Sequence, residues 1–334
     1  MITEKTLKYA FYLLMSVILI LLIVFGVNIL IPVKSDQIAL RVKPGITATT
    51  IASQLREKGI IRSAGMFTVL AKLRNTDRNL IAGTYTLGGR HNLLQTLKML
   101  EEGHTSAVRI TFPEGLSLQA TLERIDKSGL ASYAALDSLA SDPAVVYELT
   151  GIKAPTLEGF LYPETYAFDI SLSPLEILRT MVVQFGSRLQ KAGIDIRHLP
   201  DFYPKLILAS IVERESGPVD ERKLVAGVLY NRLQKQMPLE SCATVDYILE
   251  KQGVHRRVLT LQDTEIPSPY NTYINDKLPP GPICNPSLSS IEAALHPAQT
   301  DYLFFVADRN GRNVFSITGE EHFRKIEKYR RKDW

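Results

Sequence analysis

Two glutamates separated by one arginine, Glu213 and Glu215, close the segment YPKLILASIVERES (203–216) and are the residues best placed for chemistry. Pro204 suits the first helical position, and Gly217-Pro218 stops a helix. Placed at about 100° per residue, Leu208, Ile211, Val212 and Glu215 fall in one narrow sector, whereas Glu213 lies well over ~100° from its centre. Glu215 is therefore expected on the apolar face. A carboxylate there, in the last helical turn, is disfavoured by desolvation and by the negative end of the helix dipole, and both raise its pKa. A glutamate still protonated near neutral pH can protonate a glycosidic oxygen. The same position also suits a core-edge glutamate paired with Arg222 or Arg232, and periodicity does not separate the two.

The elements that must position this helix can be read from patterning. IALRVKPGITATTIASQLREKGII predicts a strand, a Pro-Gly turn and an amphipathic helix, and VRITFPEGLSLQATLERIDKSGL repeats that order about seventy residues later. Between them AGTYTLG (82–88) reads as a strand and LLQTLKMLEEG as a helix closed by Gly103. Residues 36–105 thus look like an appended β-α module and 106–334 like the larger domain. Helical patterns follow over 142–151 and 173–193, separated by TLEGFLYPETYAFD, whose aromatics and carboxylates suit either a packed turn or a sugar-binding cleft. DYLFFVADRNGRNVFSITGEEHF predicts a hairpin about Asn310-Gly311, then a helix with Thr318 and Glu321 at capping-box spacing and a basic, solvated end KIEKYRRKDW.

Tyr9 to Val33 contains no charged residue and is long enough to cross a bilayer, with residues 1–8 before it; no small-residue cleavage site follows, so the span is expected to stay as an anchor. Lys5 and Lys8 precede it and Lys34, Arg41 and Lys43 follow, so charge does not fix its orientation. With 334 residues, 45% hydrophobic and 22% charged, the chain has material for two packed domains. A net charge of only +4 argues against nucleic acid as a partner. The six histidines lack ligand spacing, so no metal is expected, and no Gly-rich phosphate loop suggests a nucleotide cofactor. Cys242 and Cys284 fit either a disulfide or two buried thiols.

The runs LASIVERES, VLYNRL, LESCATVDYIL, YNTYINDKLPPGPICNPSLSSIEAALHP and YLFFVAD, with LEGFLYPETY and the N-terminal span, resemble the endolytic murein transglycosylase (YceG-like) family over nearly the whole chain. The resemblance implies an α+β fold: a transmembrane helix over 9–33, a LysM-like module over 36–105, and a catalytic domain over 106–334 with helices against a mixed or antiparallel sheet. The domain would lie outside the cytoplasmic membrane, with residues 1–8 inside. It implies cofactor-free lytic cleavage between N-acetylmuramic acid and N-acetylglucosamine, leaving 1,6-anhydro ends, with peptidoglycan strands as substrate and peptidoglycan synthases as neighbours. Its catalytic glutamate, the second of the E-x-E pair, maps onto Glu215. Substrate positioning then falls to Glu158, Tyr166, Asn231, Thr244, Tyr270, Asn271, Thr272 and Tyr273, although Asn231 and the 270–273 run also suit purely structural hydrogen bonds. Many relatives carry Asp-Pro ahead of Thr-Val where this chain has Cys242-Ala243, and the second cysteine falls in the PPGPICNP motif, which implies a Cys242–Cys284 pairing. Two rival readings stay open: a non-catalytic wall-binding anchor, and a hydrolytic muramidase with a second carboxylate, such as Glu158 or Asp246, roughly 5–10 Å from Glu215.

Overall fold

The computed structural model describes residues 4–43, 45–77, 79–103, 105–256 and 258–329. The last five residues of the basic tail, and the first three of the 1–8 segment expected inside the membrane, lie outside them. In chain order the elements are α1 (Glu4–Leu30), β1 (Val33–Val42), α2 (Ala48–Glu57), α3 (Ala64–Leu73), β2 (Gly83–His91), α4 (Leu93–Glu102) and β3 (Ala107–Thr111). They continue with α5 (Leu118–Lys127), α6 (Tyr133–Ala140), α7 (Pro143–Thr150), β4 (Thr165–Asp169), α8 (Pro174–Lys191), α9 (Phe202–Glu215) and α10 (Arg222–Gln234). The chain ends in α11 (Cys242–Lys251), α12 (Leu288–Leu295), β5 (Phe304–Ala307), β6 (Asn313–Ser316) and α13 (Gly319–Tyr329). Two compact units result: Met1–Val108 with Ala167–Ser171, and Arg109–Tyr166 with Leu172–Trp334.

In the first unit β1 and β2 pair antiparallel, from Val33 opposite His91 to Val42 opposite Gly83, with a register irregularity between Ser35 and Ile38. The helices α2 and α3 lie between these strands in sequence, and Ile51, Leu55, Phe67, Tyr85 and Leu97 close one core. The ends of α4 follow local rules: Asn92 and Gln95 form a capping box, and Gly103 takes a left-handed cap with φ 68°. Within α1, Phe11–Leu30 is the one stretch among the described residues long and apolar enough to cross a membrane, and large apolar side chains such as Phe11, Leu19, Leu22 and Ile23 are exposed along it. The helix ends at Leu30 rather than at the expected Val33, because Pro32 disfavours helical backbone before it and Val33 already belongs to β1.

The second unit is helical at its centre. Leu206, Ile207, Leu208, Ala209, Ser210, Ile211 and Val212 are all buried, so α9 is wrapped on every side, and α10, α11 and α12 pack against it. Among the described residues no larger sheet forms, contrary to expectation: the strands make three two-stranded sheets, β1 with β2, β3 with β4 and β5 with β6. A helix apolar all round is its own core element and leaves no face for a sheet to cover. α9 begins at Phe202, which places Pro204 third rather than first; this is tolerated because the opening N–H groups of a helix have no intrahelical acceptor.

Close approach fixes α10. A Cβ on Gly227 would stand 2.6 Å from the Ala298 carbonyl oxygen, beside the hydrogen bond from Ala298 N–H to the Lys223 carbonyl (2.9 Å). The glycine is needed for lack of volume, and its backbone is otherwise ordinary. Gly227→Ala is expected to destabilise the fold by about 1–3 kcal/mol, read as a drop in the melting temperature of the purified protein; an unchanged melting temperature would contradict this packing.

Candidate active site

The two glutamates of α9 have opposite fates. The Glu213 carboxylate forms an ion pair with Arg222 at 3.0 Å and accepts from the Ser287 N–H (2.8 Å) and hydroxyl (2.5 Å). Arg222 also donates to the hydroxyls of Ser287 and Ser289. Both partners are buried, so this pair ties the end of α9 to the starts of α10 and α12. Glu215 is the last residue of α9, and among the described residues none forms an ion pair with its carboxylate, although the Arg214 charge lies near enough to lower its pKa. It accepts from the Ser241 hydroxyl at 2.5 Å and the Ala243 N–H at 3.4 Å. The basic residues that might have neutralised it are engaged elsewhere: Arg222 with Glu213, Arg214 with Glu250 (2.6 Å) and Arg232 with Glu240 (2.8 Å). Burial pushes the Glu215 carboxyl above the ordinary carboxylate range, the hydrogen bonds from Ser241 and Ala243 offset this in part, and the nearby Asp246 charge adds to the rise.

Glu215 opens onto a cleft of about 450 Å³ whose walls include Arg232, Ser241, Tyr273, Phe305 and His322. One guanidinium joins two of these walls. Arg232 donates to the carbonyls of Pro238 (2.9 Å) and Leu239 (3.1 Å) on one side and of Leu303 (2.7 Å) on the other. It also lies over the Phe304 ring, 4.9 Å from its centroid. Between those carbonyls and Ser241 stands Glu240, a non-glycine residue held at φ 52°, its N–H bonded to the Thr272 carbonyl at 3.0 Å. Such a backbone costs of order 1–3 kcal/mol and persists where its surroundings over-determine it. Its effect is to present the Ser241 hydroxyl to Glu215.

Of the positions proposed for substrate, Tyr273 lines the cleft and touches the Cys242 sulfur with its hydroxyl at 3.0 Å. The others serve the framework. Glu158 is buried, accepting from the Leu118 N–H (2.7 Å) and the Tyr247 hydroxyl (3.1 Å). The Tyr166 hydroxyl donates to the Tyr162 carbonyl, and the Asn231 amide donates to the carbonyls of Thr300 and Tyr302. Thr244 and Thr272 bond to each other at 2.9 Å within the core, Asn271 donates to the Thr264 and Ile266 carbonyls, and the Tyr270 ring packs on Tyr247.

The Cys242–Cys284 disulfide expected from the motifs is absent: both thiols are free, with Cys242 exposed at the start of α11 and Cys284 buried beneath α9, its Sγ donating to the Ser210 carbonyl at 3.3 Å. Sharing two conserved-looking motifs did not bring the sulfurs onto one face. Sequence reasoning passed over Ser241 and Glu240, and it named Arg232 only as a possible partner of Glu215 and the β5 segment only as half of a hairpin. Ser241 carried a usable signal, because it precedes α11 as a capping serine would, yet it spends its hydroxyl on Glu215 and caps nothing.

Residues 40–328 match the model of the YceG-like family. This chain belongs to that family. It is 34% identical over 325 residues to the endolytic murein transglycosylase of Bacillus subtilis, covering 91% of this chain and 89% of that one. A protein of the same name from Streptococcus pneumoniae is 29% identical, and the match covers 89% of this YceG-like chain but only 60% of the longer relative. A crystal structure of a yceG-like protein from Listeria monocytogenes superposes with a TM-score of 0.59 at 35% identity, covering 87% of this chain and all of that one.

Burial pushes Glu158 up to about 8 from an ordinary 4.5, against the opposing hydrogen bonds of Leu118 and Tyr247. A carboxyl whose pKa is higher folded than unfolded lends stability that is complete below the unfolded value and lost as pH rises to the folded one. Glu158→Gln cannot titrate. Its melting temperature relative to wild type is expected to climb between pH 4.5 and 8, and a difference that stays flat across that range would show the carboxyl ionises normally.

Proposed function

We propose that this YceG-like protein is a membrane-anchored endolytic lytic transglycosylase of peptidoglycan, with Glu215 as its single acid and base. The observation that carries the reading is a carboxyl that faces an open cleft without an ion-pair partner among the described residues: Glu215 accepts from a hydroxyl and an N–H, while Glu240, the other carboxylate on the cleft wall, is paired with Arg232. The names of the Bacillus and Streptococcus relatives support the substrate class. In the proposed reaction the protonated Glu215 gives its proton to the oxygen bridging N-acetylmuramic acid and N-acetylglucosamine. That bond breaks, the N-acetylglucosamine end leaves with its hydroxyl, and the muramyl C6 oxygen bonds to C1. The Glu215 carboxylate then takes the C6 hydroxyl proton, so the group returns to its starting form and a 1,6-anhydro end remains without water being consumed.

A hydrolytic muramidase needs a second free carboxylate across the scissile bond. Glu158 is committed to Leu118 and Tyr247 in the interior, and Asp246 is not among the residues of the cleft wall, which favours the intramolecular route. Ser241 holds the Glu215 carboxyl in one orientation and is a positioning residue in this scheme. The apolar Phe11–Leu30 helix would hold the protein in the cytoplasmic membrane as a single span, with both units outside. The order strand, helix, helix, strand from β1 to β2 supports a LysM-like module that holds glycan, and peptidoglycan synthases are the expected neighbours of an enzyme that ends nascent strands.

Full-length protein in detergent, incubated with purified peptidoglycan, is expected to yield anhydro-muramyl ends by mass spectrometry, and Glu215→Gln to yield none. Reducing muramyl ends would identify a muramidase, and intact strands with wild type would point to a non-catalytic anchor. Because the acid form starts the reaction, kcat/KM should fall as pH rises through the elevated pKa of Glu215. The Ser241 hydrogen bond lowers that pKa, so Ser241→Ala should move the alkaline limb to higher pH and reduce kcat about tenfold. An unmoved limb would remove Ser241 from the site.

A further inference from the structure

The hairpin that forms one wall of the cleft has two outer edges, and the fold treats them differently. Phe304 stands opposite Ser316 and Val306 opposite Val314, and the Asp308 N–H bonds to the Arg312 carbonyl at 2.7 Å across the turn. In an antiparallel pair, residues that exchange hydrogen bonds alternate with residues whose N–H and C=O point outward. The Asp308–Arg312 bond sets the parity: 304, 306 and 308 face β6, so Phe305 and Ala307 face away from it. On β6 the outward residues are Asn313 and Phe315, and both are capped, the Asn313 N–H by the Glu221 carboxylate (2.9 Å) and the Phe315 carbonyl by the Lys325 ammonium (2.6 Å). On β5 no described residue bonds to the N–H or C=O of Phe305 or Ala307, and both line the cleft with Glu215. An open strand edge is ordinarily blocked, and here only the edge facing the cleft is left free.

We infer that the outer edge of β5 is a binding subsite for an extended peptide, namely the short peptides that the muramyl residues of the substrate strand carry. This rests on peptidoglycan being the substrate. Each outward residue offers its N–H and C=O on the same side, which one residue of an extended chain matches, and the pattern repeats every ~7 Å as in strand addition. The acetamido group of a sugar, a single trans amide with N–H and C=O opposed, meets only one of the two. Peptide-bearing strands would thereby be bound in register beside Glu215.

The test compares binding, so it does not depend on turnover. Full-length Glu215→Gln protein in detergent is titrated with soluble glycan oligomers that keep their peptides and with the same oligomers stripped by an amidase. The peptide-bearing oligomers are expected to bind about tenfold tighter, the worth of one or two net hydrogen bonds. Ala307→Pro, which removes an outward N–H without touching the β5–β6 ladder, should abolish that preference, and Ala307→Ser, which keeps the N–H, should retain it. Slowed amide exchange over Phe304–Ala307 on binding peptide-bearing oligomers is expected in the parent protein, and its absence overturns the proposal without recourse to any variant. Equal affinity for the two oligomers overturns it too. So does an Ala307→Pro protein that loses affinity for both alike, which would assign the edge to sugar amides. A wild-type protein that makes no anhydro ends, yet shows the peptide preference, would overturn the catalytic reading alone.

Discussion

The site depends on the buried Glu213–Arg222 ion pair, because it decides which carboxylate of α9 is neutralised and which is left facing the cleft. Removing two charges from water costs several kcal/mol per ion and is recovered only with good geometry and further hydrogen bonds. Glu213 and Arg222 meet that requirement through each other and through Ser287 and Ser289. The pair adds little net stability on that accounting, but it fixes the rotation of α9 against α10 and α12. With α9 locked, Glu215 two residues further on is directed away from Arg222 and toward Ser241. A single rotation of the helix would exchange their environments, and the ion pair is what forbids it.

Around that axis the cleft is assembled from segments far apart in sequence. Arg232 on α10 bonds to the 238–239 turn and to Leu303 at the entry to β5, so one side chain sets the spacing between the wall that carries Ser241 and the wall that carries the open strand edge. The strained backbone of Glu240 is held from two sides, by its N–H to Thr272 and by its carboxylate to Arg232. Thr272 in turn accepts the Ser241 N–H at 3.0 Å and meets Thr244. Two of the residues expected to position substrate, Thr244 and Thr272, thus also support the backbone at Ser241.

Local rules made much of the fold legible. The strand, helix and cap positions of α4, α7 and α8 follow from Asn92, Gly103, Asp142, Gly151 and Ser173, each of which acts on groups within four residues. The helical face of Glu215 was legible for the same reason, since 3.6-residue periodicity needs no tertiary partner. Periodicity also set Glu213 away from Glu215, but it could not show that this second face is interior too, because α9 is enclosed on all sides and the Glu213 charge is met by Arg222. The residues expected to position substrate turned out to have structural partners that periodicity cannot show. Asn231, Asn271 and Glu158 have the right chemistry for sugars, but their partners are carbonyls and N–H groups brought close only by folding, Thr300, Ile266 and Leu118 among them. The strand edge at Phe305 and Ala307 could not be seen at all, because its chemistry lies in the backbone.

The exchange of an acid for Cys242 bears on how Glu215 keeps its proton. An aspartate at 242, at the start of α11 and close to Ala243, whose N–H meets Glu215, would put a second negative charge beside it and raise its pKa further by repulsion. The thiol does not. Desolvation of its sulfur pushes the Cys242 thiol above its ordinary range, the Tyr273 hydrogen bond opposes this, and the Glu215 and Asp246 charges add to the rise. In this chain the elevation of Glu215 rests first on desolvation, with Asp246 as a lesser contributor and the Ser241 and Ala243 hydrogen bonds in opposition. Desolvation is a property of the closed cleft wall, and that wall is held by Arg232 and the hairpin. In the proposed reaction a substrate strand that fills the cleft would displace its remaining water, which would favour the protonated carboxyl as the glycosidic oxygen comes within reach.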